Sequence, residues 1–464
     1  MTDGLEEAAL RGLYAGVASV AITPPVGSDL SGFIARVEPM AGVHDDLFAR
    51  ALVWAEDAAM TNAAALVTLD VIDVEARAVA IIRERIAALI RLTGERVGVV
   101  CTHTHGGPAT LPRSWLGRCD KKYLDRLCQA ATDAVAAAAG ALQPVVVRWA
   151  RGAEPTVGKN RRVPGGVIDA DVPVLRFQRH DGTVAALLVS YACHPVTLGP
   201  TNTLATADYA GSVRRTLEAA YPGATALFAT GCCGQINTGH TLRDGERGRD
   251  PRWRTFGEAE RIGRAIAGAA MQAAEQAARV DASLPVMPAA ISPVRMGVAH
   301  RIVRLPLLPA VSSNDLRGLV ERWHEERRSL AEGERHPGAI ERLQVFLAWA
   351  EALQAGRLPA VVEAEVMVIA LGDVALVLLP GELFVEFGLA IKERAAPRPV
   401  VTLAYANGTP GYIPHRTAYP DGGYEVDEAY RYYGYPACFA PEAGEAVVEA
   451  AIELLDATAI LPLR

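Results

Sequence analysis

A His-x-His pair is the feature of this sequence whose residue types and spacing point most clearly to chemistry. His103 and His105 lie in the segment CTHTHGGP, directly after an apolar run. Side chains alternate along a strand, so this spacing would place both imidazoles on one face, about 6–7 Å apart. Two imidazoles at that distance can bind one metal ion. The alternative is a pair of ordinary histidines at a strand end.

Two more residues follow apolar runs in the same way. His194 stands in YACHP and Glu382 in LPGE. A structural hydrogen-bonding role for His194 and a helix-start role for Glu382 are the alternatives. Three histidines and one carboxylate would suit Zn²⁺ and leave room for water. Tyr412, in GTPGYIP, is a candidate fifth ligand or oxyanion donor.

Weaker signals surround these residues. The basic run 159–162, which contains Asn160 and Arg161, could bind a polar or anionic group of a substrate or could be solvated surface. The small-residue loop GCCGQIN, residues 231–237, would allow a ligand to approach the backbone closely. We expect Cys232 and Cys233 to pack rather than chelate. The sequence contains no GxSxG elbow, Walker A loop or HExxH helix.

The elements that must position these residues alternate between strands and helices. Apolar runs at 17–23, 63–74 and 97–105 predict strands, and helical spacing over 75–92 predicts a helix between the last two, which makes a βαβ unit. The alternation recurs along the chain. We predict an α/β fold with a mixed, largely parallel sheet flanked by helices. In such a sheet the carboxyl ends of strands meet at one edge, where sites form.

The stretch 281–365 departs from this pattern, because Pro-containing extended pieces and two charged helices replace it. We interpret it as an inserted helical and extended subdomain or lid within a single catalytic domain, 1–464. The pattern returns at 365–379, where Gly372 and Asp373 predict a hairpin turn.

Composition limits the function classes. The 464 residues are 50% hydrophobic, and 46 basic against 53 acidic side chains give a net charge of −7. This excludes a strongly basic nucleic-acid binder. The sequence contains no run of about 18 apolar residues, so it predicts no membrane span. The acidic N-terminus lacks an apolar signal region, so we expect a cytoplasmic protein. We expect a small-molecule substrate and leave a homo-oligomer open.

The order of motifs resembles the catalytic domain of the neutral (non-lysosomal, alkaline) ceramidase family. The motifs span roughly residues 14–440, and several in order are more specific than any one alone. In chain order they are AGVASVAITPP, GVHDDLFARAL, CTHTHGGP, GKNRR, ACHPVTLG, TADYAG, GCCGQIN, LPGELF and GYIPH.

The resemblance implies a zinc ion and a set of residues around it. The implied zinc ligands are His103, His105, His194, Glu382 and Tyr412, and Arg161 matches the family's substrate-contacting arginine. The five implied ligands are the same residues that their side-chain chemistry and positions indicate as candidate metal ligands.

The chain also departs from the family. The family's serine, in a Gly-Asp-Val-Ser-Pro-Asn loop, aligns with Asn237, which cannot act as a nucleophile but can bind a carbonyl or hold water. We expect a protein without the C-terminal β-sandwich domain and the secretory signal of that family. The resemblance implies a ceramidase-like enzyme, and these departures from the family imply a substrate other than ceramide.

We predict a zinc-dependent hydrolase that cleaves an amide or ester bond of a small or N-acylated substrate through a metal-bound water. Tyr412 would ligate or stabilise the oxyanion, Asn237 would orient the substrate, and Asn160 and Arg161 would bind it. His44 and Asp70 are candidates for the general base. The alternatives are a metal-dependent lyase or isomerase acting on a sugar-like or hydroxy-acid substrate, and a non-catalytic binding protein.

Overall fold

The computed structural model describes residues 13–112, 117–240, 253–278, 296–332 and 338–459. Its strands are β1 (Leu13–Ala21), β2 (Gly42–Val43), β3 (Phe48–Ala55), β4 (Ala64–Leu69), β5 (Val97–Cys101), β6 (Gln143–Ala153), β7 (Lys159–Asn160), β8 (Asp171–Arg179), β9 (Val184–Tyr191), β10 (Leu204–Ala205), β11 (Thr225–Thr230), β12 (Ile236–Asn237), β13 (Met296–Leu305), β14 (Val362–Leu371), β15 (Val374–Leu378), β16 (Glu382–Leu383), β17 (Val400–Leu403) and β18 (Tyr412–Ile413). Its helices are α1 (Ala76–Leu89), α2 (Lys121–Gly140), α3 (Asp208–Ala220), α4 (Phe256–Ala278), α5 (Ser313–Glu332), α6 (Ala339–Gln354), α7 (Val385–Ala395), α8 (Ala429–Tyr432) and α9 (Glu442–Ala457).

The larger sheet has eight strands in the order β11-β9-β8-β6-β1-β3-β4-β5. It is mixed, and helices flank it, which confirms the predicted α/β class. Strands β4 and β5 pair in parallel, and α1 lies between them in the chain. The predicted βαβ unit is therefore confirmed.

The expectation of a largely parallel sheet is wrong. Only β4–β5 and β9–β11 pair in parallel among the described strands of this sheet, and its other five neighbouring pairs are antiparallel. Two strands that hydropathy did not single out, β3 and β8, account for much of the difference. A parallel connection needs a crossover of roughly a dozen residues or more. The chain between β8 and β9 is only residues 180–183, so it turns back on itself.

A smaller sheet, in the order β13-β14-β15-β17, packs against the first. Strands β14 and β15 form the predicted hairpin, and Gly372 at its turn has a φ of 57°, which suits glycine. Buried side chains of both sheets form one apolar cluster between them, among them Leu52 and Leu66 of the larger sheet and Ile369 and Leu378 of the smaller.

Helices cover the outer faces of both sheets. Helix α2 contacts β1 and β3, and α4 contacts β6 and β8. Helix α9 contacts β13 and β14 on the other side of the molecule. The layers thus run helix, sheet, sheet, helix. Within the described ranges no helix is long and apolar enough to cross a membrane.

The stretch 281–365 contains β13, α5 and α6, while its residues 281–295 and 333–337 lie outside the described ranges. Strand β13 pairs with β14 in the smaller sheet. Helices α5 and α6 pack together through aromatic side chains and onto Tyr432 of α8. A separate subdomain or lid in this stretch stays a prediction.

The larger sheet curls so that its two edges meet. Thr230, at the end of edge strand β11, donates to the carbonyl of Thr102, which follows the other edge strand, β5. The Cys101 N–H, at the end of β5, donates to the carbonyl of Tyr405, just beyond β17. The ends of strands from both sheets therefore converge, although most of the intervening strands are antiparallel.

Candidate metal centre

The segments after β5 and β9 bring three predicted histidines together. His103, His105 and His194 each offer one ring nitrogen, and these atoms lie within 4.8 Å of one another. The ring of His103 lies 5.1 Å from that of His105 and 4.9 Å from that of His194. Such a group could hold a metal ion.

A backbone turn, rather than strand alternation, sets the position of the first two rings. Strand β5 ends at Cys101, and His103 has a φ of 62°, in the left-handed region. Tyr405 also has a positive φ, 56°, and its ring stacks on His103 at 4.0 Å. Such conformations are uncommon for non-glycine residues and cluster at functional sites, where the surrounding structure enforces them. The two rings of the His-x-His pair do lie close together, but a turn brings them there rather than the alternation of a strand.

Backbone carbonyls orient two of the three rings. Nδ1 of His103 lies 2.8 Å from the carbonyl of Ile72, and Nδ1 of His194 lies 2.8 Å from that of Cys233. A carbonyl only accepts, so each Nδ1 carries the proton and each Nε2 is left with a free lone pair. Nδ1 of His105 is buried and has no hydrogen-bond partner among the described residues. His105 is therefore the least constrained ring.

Glu382 adds a carboxylate to the same group. Its Oε2 lies 3.0 Å from Nε2 of His194 and 3.3 Å from Nε2 of His103, and both Nε2 atoms carry lone pairs. Lone pairs of nitrogen and oxygen repel at such distances unless a cation lies between them. Ligands 2.0–2.2 Å from a tetrahedral zinc ion are roughly 3.4 Å apart, and Nε2 of His103 and His105 are also 3.4 Å apart. The donor set therefore fits a metal ion.

Electrostatics keep the imidazoles ready to ligate. Burial lowers the pKa of His194 and holds the pKa of His105 well below its usual value, with repulsion from His103 adding to both shifts. At neutral pH these rings are consequently uncharged, the form that binds a metal ion.

Tyr433 is a member of the site that the sequence did not reveal. Its hydroxyl donates to Oε1 of Glu382 at 2.5 Å. Burial holds the pKa of Tyr433 well above its usual value, so the phenol stays protonated and remains a donor. The residue is one of 13 tyrosines, in a tyrosine-rich segment without periodicity, and no local pattern distinguishes it.

Tyr412 lies beside the carboxylate. It is the register partner of Glu382 in the parallel ladder of β16 and β18, and its ring is nearly parallel to that of His194, with centroids 6.4 Å apart. Arg161 Nη2 donates to the Tyr412 hydroxyl at 3.1 Å. Burial raises the pKa of Tyr412 well above its usual value, although Arg161 opposes this. A protonated hydroxyl that accepts from Arg161 keeps its own hydrogen to donate.

Arg161 is held in place by Glu425, a second residue that the sequence analysis missed. Arg161 Nε donates to Glu425 at 2.8 Å, and its Nη2 also donates to the carbonyl of Gly234 at 2.9 Å. Asn160, the other residue predicted to bind the substrate, forms hydrogen bonds with backbone close to it in the chain. Its Oδ1 accepts from the backbone N–H groups of residues 162 and 163, so it shapes its own loop.

The loop 231–237 approaches protein backbone rather than open space. A Cβ on Gly234 would lie 2.5 Å from the carbonyl oxygen of Glu382, so only glycine allows this contact. Asn237 is buried, and its Oδ1 accepts from the N–H of Gly239 at 3.0 Å. The Sγ of Cys233 lies 3.2 Å from the Tyr405 hydroxyl.

Neither candidate for the general base joins the histidine group. The ring of His44 stacks on Phe256 at 3.6 Å, and its Nδ1 lies 2.9 Å from Asp45. Asp70 is fully buried and binds the guanidinium of Arg214 through both oxygens, at 2.5 and 2.6 Å. That ion pair occupies the carboxylate of Asp70.

Comparison with known proteins supports the resemblance read from the motifs. Residues 14–241 match the model of the family described as neutral/alkaline non-lysosomal ceramidase, N-terminal. The predicted resemblance is therefore confirmed for the part of the chain that carries the three histidines, and it supports a hydrolase. A comparison with curated protein sequences finds no match.

Two solved structures share the fold. A crystal structure of neutral ceramidase from Pseudomonas aeruginosa matches with a TM-score of 0.69 and 18% identity, over 97% of this chain and 75% of that one. A structure described as ceramidase complexed with C2 matches with a TM-score of 0.72 and 18% identity, over 97% and 77%. At this identity the likeness establishes the fold.

Proposed function

We propose that this chain is a zinc-dependent hydrolase that cleaves an amide or ester bond of a small or N-acylated substrate. The observation that carries the proposal is the convergence of three imidazole nitrogens, all within 4.8 Å of one another, and one carboxylate oxygen 3.0–3.3 Å from two of them. Zinc binds such a set of nitrogen and oxygen ligands. A cytoplasmic location and a homo-oligomer stay predictions.

In this proposal His103, His105, His194 and Glu382 hold the ion, with Tyr412 beside it. Zinc at this position would polarise the scissile carbonyl and lower the pKa of a water molecule. The carbonyl contacts to Nδ1 keep two imidazoles in the tautomer that ligates. The Tyr433 hydroxyl fixes the orientation of the Glu382 carboxylate.

Tyr412 is the residue suited to stabilise the developing oxyanion. Its hydroxyl is protonated, and the hydrogen bond from Arg161 orients it and strengthens it as a donor. Because both side chains are largely shielded from water, a hydrogen bond to developing charge is stronger there than in solution.

The substrate in this proposal is not ceramide. Asn237 stands where the resembled family has its serine, so a hydroxyl is missing from that position. The Asn237 side chain already binds the 239 N–H, which suits a role in shaping the wall of the site. The proposed substrate is a smaller amide.

The test is hydrolysis of a panel of N-acyl amides by the zinc-loaded protein in H₂¹⁸O. One solvent oxygen per product acid is expected, and Tyr412→Phe should lower kcat by about 10²-fold or more with little change in KM. Tyr221→Phe is the matched control, because the Tyr221 hydroxyl bonds to Glu275 outside the site. Turnover without incorporation of solvent oxygen would instead indicate elimination or isomerisation.

A further inference from the structure

A cavity of about 540 Å³ is lined in part by Phe33 and Arg36, two residues that contact His105. Residues 30–37 form one wall, and helix α6 forms the other. The ring of Phe33, which lines the cavity, packs edge-on against His105 at 4.9 Å. The cavity wall therefore includes two direct neighbours of a proposed metal ligand.

Arg36 brings a positive charge to the wall of this cavity. Its Nη1 donates to the carbonyls of Ser31 and His105, both at 2.8 Å, and its guanidinium lies over the ring of Phe33 at 5.0 Å. Nη2 has only a 3.4 Å contact with the carbonyl of Gly199. Nε is buried without a hydrogen-bond partner among the described residues. Nη2 is therefore the guanidinium nitrogen with donor capacity left for a ligand.

Within the described ranges no carboxylate lies at ion-pair distance from Arg36. Several other guanidiniums with little exposure are paired with a carboxylate, for example Arg83 with Glu365 and Arg214 with Asp70. Burial lowers the pKa of Arg36 to about 10, so it is still charged at neutral pH. A buried charge without a counter-ion is costly, and an anion that binds there recovers that cost.

We propose that Arg36 binds a carboxylate of the substrate, so that the substrate is an N-acyl amino acid or a related amide with an acidic group beside the scissile bond. This inference rests on the proposed function. A guanidinium binds a carboxylate with charge-assisted hydrogen bonds. The other walls are partly apolar, with Ile34 and Val345 facing the same cavity, which suits a short acyl chain or an apolar side chain.

Glu341 of α6 also lines the cavity, and its charge affects which anions can bind there. Its negative charge disfavours a dianion such as phosphate more than a singly charged carboxylate. Glu341 thereby also provides a second position for a test that leaves the buried contacts of Arg36 intact.

The test is calorimetric binding of two matched probes, N-butanoylglycine and the uncharged N-butanoylglycinamide. Wild type should bind the carboxylate at least about tenfold more tightly, which is about 1.4 kcal/mol. Arg36→Gln should abolish that preference, and Arg36→Lys should retain part of it. Arg264→Gln, which removes the same charge from an exposed position, should leave the preference unchanged.

Arg36→Gln also removes hydrogen bonds to three carbonyls and can fail to fold, so Glu341→Gln is the second measurement. It should tighten carboxylate binding several-fold and leave amide binding unchanged. Equal affinity of wild type for both probes, or no effect of Glu341→Gln, would overturn the inference. Zinc content is measured on the same samples. Absence of zinc would overturn the proposed function but not the inference about Arg36. The affinities for the two probes still show whether the protein prefers a carboxylate.

Discussion

Glu382 and Tyr412 are register partners in a parallel ladder of only two residues per strand, β16 and β18. The backbone therefore fixes the carboxylate and the phenol side by side before any ligand binds. His194 contacts both, through a 3.0 Å approach to Glu382 and a nearly parallel ring stack with Tyr412. Three distant parts of the sequence thus form one preorganised site.

Tyr433→Phe should weaken zinc binding without disturbing the fold. The variant removes only the hydroxyl that orients the Glu382 carboxylate. Loss of such an outer partner of a ligand typically costs 10–100-fold in metal affinity. Competition with a chromophoric chelator measures the change, and Tyr221→Phe again provides the control. An unchanged zinc affinity would mean that the carboxylate needs no orienting partner.

Asp70→Asn should destabilise the fold rather than remove a catalytic base. The buried Asp70 carboxylate neutralises Arg214, and removing one partner of such a pair costs about 3–5 kcal/mol. Asp125→Asn, which breaks an exposed pair with Arg85, should cost less than about 1 kcal/mol. Urea unfolding measures both. A stable Asp70→Asn variant that has lost turnover would show that Asp70 does act in catalysis.

Asp73 should give the metal-free protein an unusual pH dependence. Burial raises the pKa of Asp73 to about 7, although His103 and the hydrogen bond from Thr409 oppose this. The folded state therefore binds more protons than the unfolded state between about pH 4 and pH 7, so stability falls as the pH rises through this window.

Asp73→Asn has no titratable group at this position. The difference in the free energy of unfolding between variant and wild type should consequently shift in favour of the variant as the pH rises from 4 to 7. The expected shift is about 3–4 kcal/mol. Chelator-treated samples and a series of urea titrations measure it. A difference that stays constant across this range would contradict the raised pKa.

Much of this site could be predicted because its ligands follow recognisable elements. His103, His194 and Glu382 each come soon after an apolar strand, so the hydropathy pattern indicates where they lie. Their imidazole and carboxylate groups indicate that they could bind one metal ion together. The left-handed backbone of His103 could not be predicted, because tertiary contacts such as the stacked ring of Tyr405 enforce it.

Other features depend on tertiary contacts that leave no local pattern. Tyr433 and Glu425 enter the site from a segment whose position is set by packing against α5 and α6. The antiparallel centre of the larger sheet follows from strands β3 and β8, which strand patterns did not single out. The unpaired charge of Arg36 becomes visible only once its surroundings are known.

The most direct test of the metal site is elemental mass spectrometry of purified wild type, His103→Ala, Glu382→Gln and the control His180→Ala, whose histidine lies in the exposed turn between β8 and β9. We predict one zinc ion per chain in wild type and in His180→Ala, and a large loss in the other two variants. A wild type without metal after reconstitution with zinc, or zinc retained in both His103→Ala and Glu382→Gln, would contradict the proposed zinc site.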